Sequence, residues 1–186
     1  MTTKNYKLLR EKTGLLLIDV QEKLFPLVEN SCHVGLTLQK VIRGFQILQL
    51  PIYVTEQYPE KLGSTIAVLK GLLGDGQKYL SKTAFSCLDQ DQVKKCLLDA
   101  PIEQWVVMGI EAHVCVLQTV KDLLEHGKQV VVINDAISSR SIYDFSTAIA
   151  EMRDYGARIS SAETVLFELL RHSKAAEFKE ISQLIK

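Results

Sequence analysis

The chain has 186 residues, enough for one domain (residues 1–186) that buries roughly 70% of its unfolded surface. Hydrophobic residues make up 47% and charged residues 24%, the balance of an ordinary soluble globular protein. Acidic and basic residues are equal at 22 each. This disfavours nucleic acid as the main partner, because proteins that neutralise phosphates carry a basic excess. No apolar run approaches the ~20 residues of a membrane span, so no membrane partner is expected.

The N-terminus and the cysteines bear on the compartment. Residues 1–14 are polar and lack the apolar segment of a secretory signal. The four cysteines (Cys32, Cys87, Cys96 and Cys115) are far apart, with no CxxC pair. Reduced thiols in the cytoplasm are therefore predicted. An organelle is the alternative, because four basic residues stand against one acidic residue in residues 1–14.

Short apolar runs alternate with helical patterns along the chain. The runs predict strands at 15–20, 51–55, 78–80, 105–108, 130–133 and 157–160. The helical patterns lie at 34–50, 91–98, 114–126, 142–155, 163–171 and 175–185. Such alternation predicts an α/β fold with a doubly wound parallel sheet.

In a sheet of this kind, ligands bind at the carboxyl ends of the strands. Chemically useful side chains lie at the carboxyl ends of five of the predicted strands. Asp19 closes the first, and the others that follow strands are Glu56, Lys82, Cys115 and Asp135. Neither a dinucleotide fingerprint nor a phosphate-binding loop occurs in the sequence. The four histidines have no metal-binding spacing. We therefore predict neither a metal nor a cofactor.

Cys115 is placed where a strand gives way to a helix. The positive end of the helix dipole favours a thiolate, and the free N–H groups there can hold an oxyanion. His113 is two residues away and does not share a face with the thiol, so the candidate bases are Asp19 and Lys82. The alternative is a structural thiol, because free cysteine is often buried as a small hydrophobe.

Several segments together resemble the isochorismatase-like cysteine hydrolases, the superfamily that includes nicotinamidases. They are LLLIDVQEK around Asp19, SKTAFS around Lys82 and VVMGIEAHVCVLQT around Cys115. INDAISSRS and MRDYGARISSAETVLFELL also match. The segment TEQYPEKLGST is similar to the eukaryotic isochorismatase domain-containing proteins. The resemblance covers residues 12–172 and implies a three-layer fold with a six-stranded parallel sheet in the order 3-2-1-4-5-6.

The resemblance also implies an active site. The family's catalytic triad corresponds to Asp19, Lys82 and Cys115. A cis peptide bond is expected between Ile110 and Glu111, and the N–H groups of Glu111 and Cys115 would form the oxyanion hole. In this scheme Lys82 lowers the pKa of the thiol, Asp19 moves the proton, and Cys115 forms a thioester.

The sequence departs from the nicotinamidases after the second strand. Those enzymes carry a metal-binding acid and histidines there, whereas this chain has Glu56, Gln57 and Tyr58. We therefore do not expect nicotinamide bound through a metal. These three residues are predicted substrate contacts. Leu24 is a fourth, because it occupies the position of a substrate-packing phenylalanine in the family.

The predicted function is hydrolysis of a small amide or related acyl compound. One alternative is a protein-binding or redox-sensing role on a hydrolase scaffold, since fold does not fix function. Another is isochorismate-type vinyl ether hydrolysis, which does not need the cysteine. A homo-oligomer is also expected. The apolar face of residues 175–185 is predicted to pack against its own sheet.

Overall fold

The computed structural model describes residues 6–186, so residues 1–5 of the polar N-terminal stretch lie outside it. Six parallel strands form one sheet, in the order β3-β2-β1-β4-β5-β6. They are β1 (Thr13–Ile18), β2 (Ile52–Gln57), β3 (Tyr79–Lys82), β4 (Gln104–Ile110), β5 (Gln129–Ser138) and β6 (Arg158–Ser160). The predicted fold class and strand order are confirmed.

Helices cover both faces of the sheet. They are α1 (Ser31–Ile47), α2 (Pro59–Leu62), α3 (Ala67–Leu73), α4 (Asp91–Asp99), α5 (Leu117–Glu125), α6 (Ile142–Tyr155), α7 (Ala162–Leu170) and α8 (Phe178–Ile185). The bounds of α6 are those predicted, and it ends at Gly156 in the left-handed conformation. The sequence patterns did not predict the short helices α2 and α3.

Alternate residues of β1 belong to two separate cores, as expected for a strand that is covered on both sides. Leu15 and Leu17 pack with α1, α7 and α8, whereas Leu16 and Ile18 pack with α4, α5 and α6. The apolar residues of α8 pack in the first of these cores, in agreement with the prediction for residues 175–185. Within residues 6–186, no helix combines the length and the apolar character needed to cross a membrane.

Five strands differ from their predictions at the ends that face the site, and β2, β3 and β4 each run two residues further than predicted. β1 stops at Ile18, because Asp19 adopts the left-handed conformation with a φ of 53°. β5 runs on to Ser138, five residues beyond the predicted end. Its pairing with β4 shifts between Val107 and Gly109. This irregularity lets a strand with polar residues in its second half stay in the sheet.

Candidate active site

A buried ion pair between Asp19 and Lys82 lies at the carboxyl ends of the strands. Asp19 follows β1 directly and Lys82 is the last residue of β3. Lys82 Nζ lies 2.6 Å from Asp19 Oδ2, and neither side chain is exposed to solvent. Removing one partner would leave an unpaired charge inside the protein.

Every proton of the Lys82 ammonium has an acceptor. Besides Asp19, Nζ donates to Gln57 Oε1 at 2.7 Å and to the carbonyl of Phe85 at 3.0 Å, with the carbonyl of Ala84 at 3.3 Å. Burial is the largest single effect and opposes the charged form, but the Asp19 carboxylate and the sulfurs of Cys87 and Cys115 together outweigh it, and the pKa of Lys82 is raised. Lys82 therefore stays protonated and cannot act as the base. Of the two candidate bases, this leaves Asp19.

Strand β2 supports the ion pair through alternate side chains. Thr55 Oγ1 donates to Asp19 Oδ1 at 2.7 Å, and Gln57 accepts from the ammonium. Glu56 lies between them and points to the opposite face, because successive side chains of a strand alternate. Its carboxylate accepts from the backbone N–H of Thr65 at 2.6 Å and from Oγ1 of Thr65 at 2.8 Å. Glu56 therefore anchors a loop and faces away from the ion pair.

Cys115 lies in a single π-helical turn, Ala112–Val116, between β4 and α5. The helix predicted from residue 114 is therefore preceded by a wider turn. The carbonyl of Glu111 accepts from the N–H groups of Val114 at 3.1 Å and Val116 at 3.2 Å, the two neighbours of Cys115. Such turns occur often at functional sites. Here the turn brings the thiol towards Asp19.

The peptide bond between Ile110 and Glu111 is cis, immediately before the turn that carries Cys115. The residue before it in β4, Gly109, has a φ of 124°. Glu111 and Cys115 are the residues predicted as oxyanion donors. Glu111 lies just before the π-helical turn, and Cys115 lies within it.

The pKa of the Cys115 thiol is raised well above its ordinary value. Burial is the largest cause, and the Asp19 carboxylate adds to it. Lys82 lowers the pKa, as expected from the sequence, but it does not outweigh the other two effects. The net effect is a raised pKa, because burial of the sulfur, which the sequence does not show, is the larger effect. The resting site holds a thiol, a carboxylate and an ammonium.

A cavity of about 270 Å³ opens onto Cys115. Its other lining residues are Leu24, Gln57, Leu62, Phe85, Glu111, Val114 and Arg140. Two of the predicted substrate contacts, Leu24 and Gln57, are among them. The other two are not, because Glu56 is bound to Thr65 and Tyr58 lines a separate depression.

Four lining residues were not anticipated, namely Leu62, Phe85, Val114 and Arg140. Leu62 is in the four-residue helix α2, which is too short for helical periodicity to reveal. Arg140 follows β5, whose last five residues were not predicted as strand. Phe85 lies three residues after Lys82, and Val114 lies one residue before Cys115. Proximity to the triad in the sequence was therefore the signal that could have predicted them as lining residues.

A charged cluster lies at the mouth of the cavity. Arg140 Nε is 2.8 Å from Glu111 Oε1. His113 Nε2 is 3.6 Å from the same carboxylate and 3.9 Å from that of Asp144, and His113 Nδ1 lies 2.9 Å from Ser139 Oγ. His113 is therefore part of this charged cluster.

Asp135, the remaining acid singled out at this edge, lies outside the cavity. Its Oδ1 accepts from the N–H of Ala162 at the start of α7 at 2.9 Å, which is a structural contact. Among residues 6–186, no group of three or more histidine, cysteine, aspartate or glutamate side chains is arranged to hold a metal ion.

Comparison with known proteins identifies the family. Residues 13–164 match the family model of the isochorismatase domain. Isochorismatase domain-containing protein 2A of Mus musculus is 36% identical over 97% of this chain and 85% of its own length. The secreted isochorismatase effector Isc1 of Phytophthora sojae is 36% identical over 97% of this chain and 87% of its own length.

Solved structures share the fold. The MAR1 ribonuclease of Caenorhabditis elegans superposes with a TM-score of 0.90 at 36% identity, over 97% of this chain and 92% of that chain. The octameric YcaC hydrolase of Escherichia coli superposes with a TM-score of 0.91 at 22% identity, over 98% and 91%. The family model matches most of the chain, and relatives such as the mouse protein share more than a third of their residues with it over nearly its full length. The chain therefore belongs to the isochorismatase family.

Proposed function

We propose that this protein hydrolyses a small amide or related acyl compound through a thioester on Cys115. One observation carries the proposal: a thiol and a buried Asp19–Lys82 ion pair meet at the base of a cavity. The family supports hydrolysis in general. The acyl chemistry rests on the presence of a nucleophilic sulfur next to a carboxylate that can take its proton.

The raised pKa of the thiol is compatible with this role. That pKa describes loss of the proton to solvent, which adds a negative charge to a buried site. Transfer of the proton from Cys115 to Asp19 leaves the total charge of the three groups unchanged, because the proton stays among them. The thiolate so formed lies in the field of the Lys82 ammonium.

In the proposed reaction, the Cys115 sulfur bonds to the acyl carbon while Asp19 receives the thiol proton. Asp19 then gives this proton to the amide nitrogen, the C–N bond breaks, and ammonia leaves. Water attacks the thioester, Asp19 takes a proton from it, and the C–S bond breaks. Asp19 returns the proton to the sulfur, so the sum is RCONH₂ + H₂O → RCOOH + NH₃. The N–H groups of Glu111 and Cys115 are the proposed oxyanion donors.

We expect incubation with a panel of small amides and activated esters to leave an acyl group on Cys115, detectable by mass spectrometry of the quenched protein. Cys115→Ala should lose the adduct and at least about a thousandfold in turnover, because the nucleophile is removed. Cys32→Ala is the matched control, since Cys32 is exposed and free, and it should keep both.

The same panel separates the alternatives. Hydrolysis of a vinyl ether that survives Cys115→Ala would favour the isochorismatase reaction over the thioester route. A panel without any turnover, combined with specific capture of a protein partner, would favour a binding module.

We also propose a homo-oligomer in a reducing compartment such as the cytoplasm. Tyr143 is 80% exposed, Leu36 61% and Leu27 60%, and large exposed apolar side chains often mark contacts between proteins. The fold occurs in the octameric YcaC structure.

The proposed compartment rests on the cysteines. All four are free, although one relative is secreted. We expect light scattering to give a mass of at least two chains and cell fractionation to place the protein in the cytosol. A monomer, or protein found only in the medium, would contradict these proposals.

A further inference from the structure

The walls of the cavity above Cys115 are apolar. Leu24 and Leu62 come from one side of the triad, Phe85 from the loop after β3, and Val114 from the π-helical turn. The side chain of Phe85 is at the mouth, because this residue is 56% exposed. A group bound against these walls gains from removing apolar surface from water and has no polar partner there.

The polar side chains of the lining already have partners within the protein. Both ends of the Gln57 amide are used, since Oε1 accepts from Lys82 and Nε2 donates to the carbonyl of Thr83 at 2.7 Å. Arg140 is held by the Glu111 carboxylate. This pair uses only Nε of a guanidinium whose side chain is 62% exposed, so it compensates the charge of Arg140 without using all of its donors. A charged substrate group would have to share Arg140 with Glu111 or enter unpaired, and the second is costly.

The charges around the mouth do not favour an anion. The groups that face one another there are the carboxylates of Glu111 and Asp144, the guanidinium of Arg140 and the ring of His113. The two carboxylates and the guanidinium sum to one negative charge. Below them, Asp19 and Lys82 cancel each other. The potential at the entrance thus opposes a carboxylate or a phosphate.

From these three observations we infer that the site takes small uncharged compounds whose acyl group is apolar, and that it discriminates against acyl groups that carry a negative charge. This inference rests on the proposed function. It also excludes dicarboxylates and phosphodiesters as substrates. One relative with 36% identity is nevertheless named a ribonuclease.

Two esters of the same shape test whether a negative charge on the acyl group slows the reaction. 4-Nitrophenyl 5-methylhexanoate ends in an isopropyl group, where mono-4-nitrophenyl glutarate ends in a carboxylate. In both, the Cys115 sulfur bonds to the acyl carbon as the bond to nitrophenolate breaks, and the released nitrophenolate is measured. We expect kcat/KM to be at least about tenfold higher for the uncharged ester, a difference of about 1.4 kcal/mol. Equal or faster reaction of the glutarate ester would overturn the inference.

A variant with an altered charge at the mouth of the cavity tests whether the charges there set the preference between the two esters. Glu111→Gln frees Arg140 and removes one negative charge, so the preference should shift towards the glutarate ester by about tenfold or more. Glu180→Gln makes the same chemical change at an exposed position of α8 and should leave the preference unchanged. A preference that is the same in Glu111→Gln and wild type would show that the mouth charges do not set it.

The apolar half of the inference and the proposed function have separate readouts. Among uncharged esters, kcat/KM should rise from the acetate to the 5-methylhexanoate, and a flat or falling series would contradict an apolar acyl pocket. Cleavage of RNA that is lost in Cys115→Ala would overturn the substrate class. If neither ester releases nitrophenolate faster than Cys115→Ala does, the proposed function itself fails, and the inference fails with it.

Discussion

Replacement of Gly109 with alanine should leave little folded protein. Gly109 lies in β4 with a φ of 124°, and a Cβ built there meets the carbonyl oxygen of Ile18 at 2.1 Å and its nitrogen at 2.7 Å. Ile18 pairs with Gly109 across β1 and β4, so the obstacle is backbone of a central strand that cannot rotate away. Overpacking costs roughly 1–3 kcal/mol and the backbone conformation roughly 1–3 kcal/mol more. Together these are a large part of a typical 5–15 kcal/mol of stability.

Gly156→Ala is the matched control for this prediction. Gly156 has a φ of 114°, and a Cβ at this position would meet nothing within 4 Å, so the variant carries the conformational cost without the collision. Urea denaturation of both variants, followed by circular dichroism, gives the comparison. If the free energies of unfolding of Gly109→Ala and Gly156→Ala differ by less than about 1 kcal/mol, the cost of the contact with Ile18 has been overestimated.

Lys82→Met should lose both stability and activity. It leaves the Asp19 carboxylate buried without its cation, while the hydroxyl of Thr55 still donates to it. Breaking a buried ion pair in this way costs roughly 3–5 kcal/mol. The proposed thiolate also loses the cation in whose field it forms. We therefore expect turnover of the preferred ester to fall by at least about a hundredfold.

A double variant separates the two effects. Asp19→Asn combined with Lys82→Met removes both charges, so the midpoint of urea denaturation should recover most of what Lys82→Met lost. Turnover should stay at the level of the single variant, because the proton acceptor is now absent as well. Recovered stability with recovered turnover would show that the ion pair is structural and takes no part in the reaction.

The sequence was sufficient for the fold because its main signals are local. Apolar runs bounded by glycine and alternating with helical patterns determined the strands and most helices, and the bounds of α6 were correct. The missed extension of β5 has a physical reason: Asn134 and Asp135 interrupt the apolar run, and the shifted pairing near Gly109 accommodates them. A contact between strands of this kind is not encoded in either segment alone.

The site was predictable in its chemistry and less so in its surroundings. The carboxyl ends of parallel strands meet, which predicts that Asp19, Lys82 and Cys115 come together. Period-two alternation along β2 could also have separated Gln57 from Glu56, since Thr55 and Gln57 share the face that carries the ion pair. Burial of the sulfur and the partner of Arg140 depend on side-chain packing, and the sequence contains no direct measure of either.

The commitment of all three Lys82 protons to acceptors has a consequence for chemoselectivity. An amine becomes a nucleophile only when a lone pair is free, and this ammonium is held by a carboxylate, an amide oxygen and main-chain carbonyls. Cys115 lines the cavity, and the nitrogen of Lys82 behind it has no free lone pair, so only the sulfur can react. An acyl group that reached Lys82 would be fixed there as a stable amide. By holding that nitrogen as an ammonium, the fold protects the site from being inactivated by its own substrate.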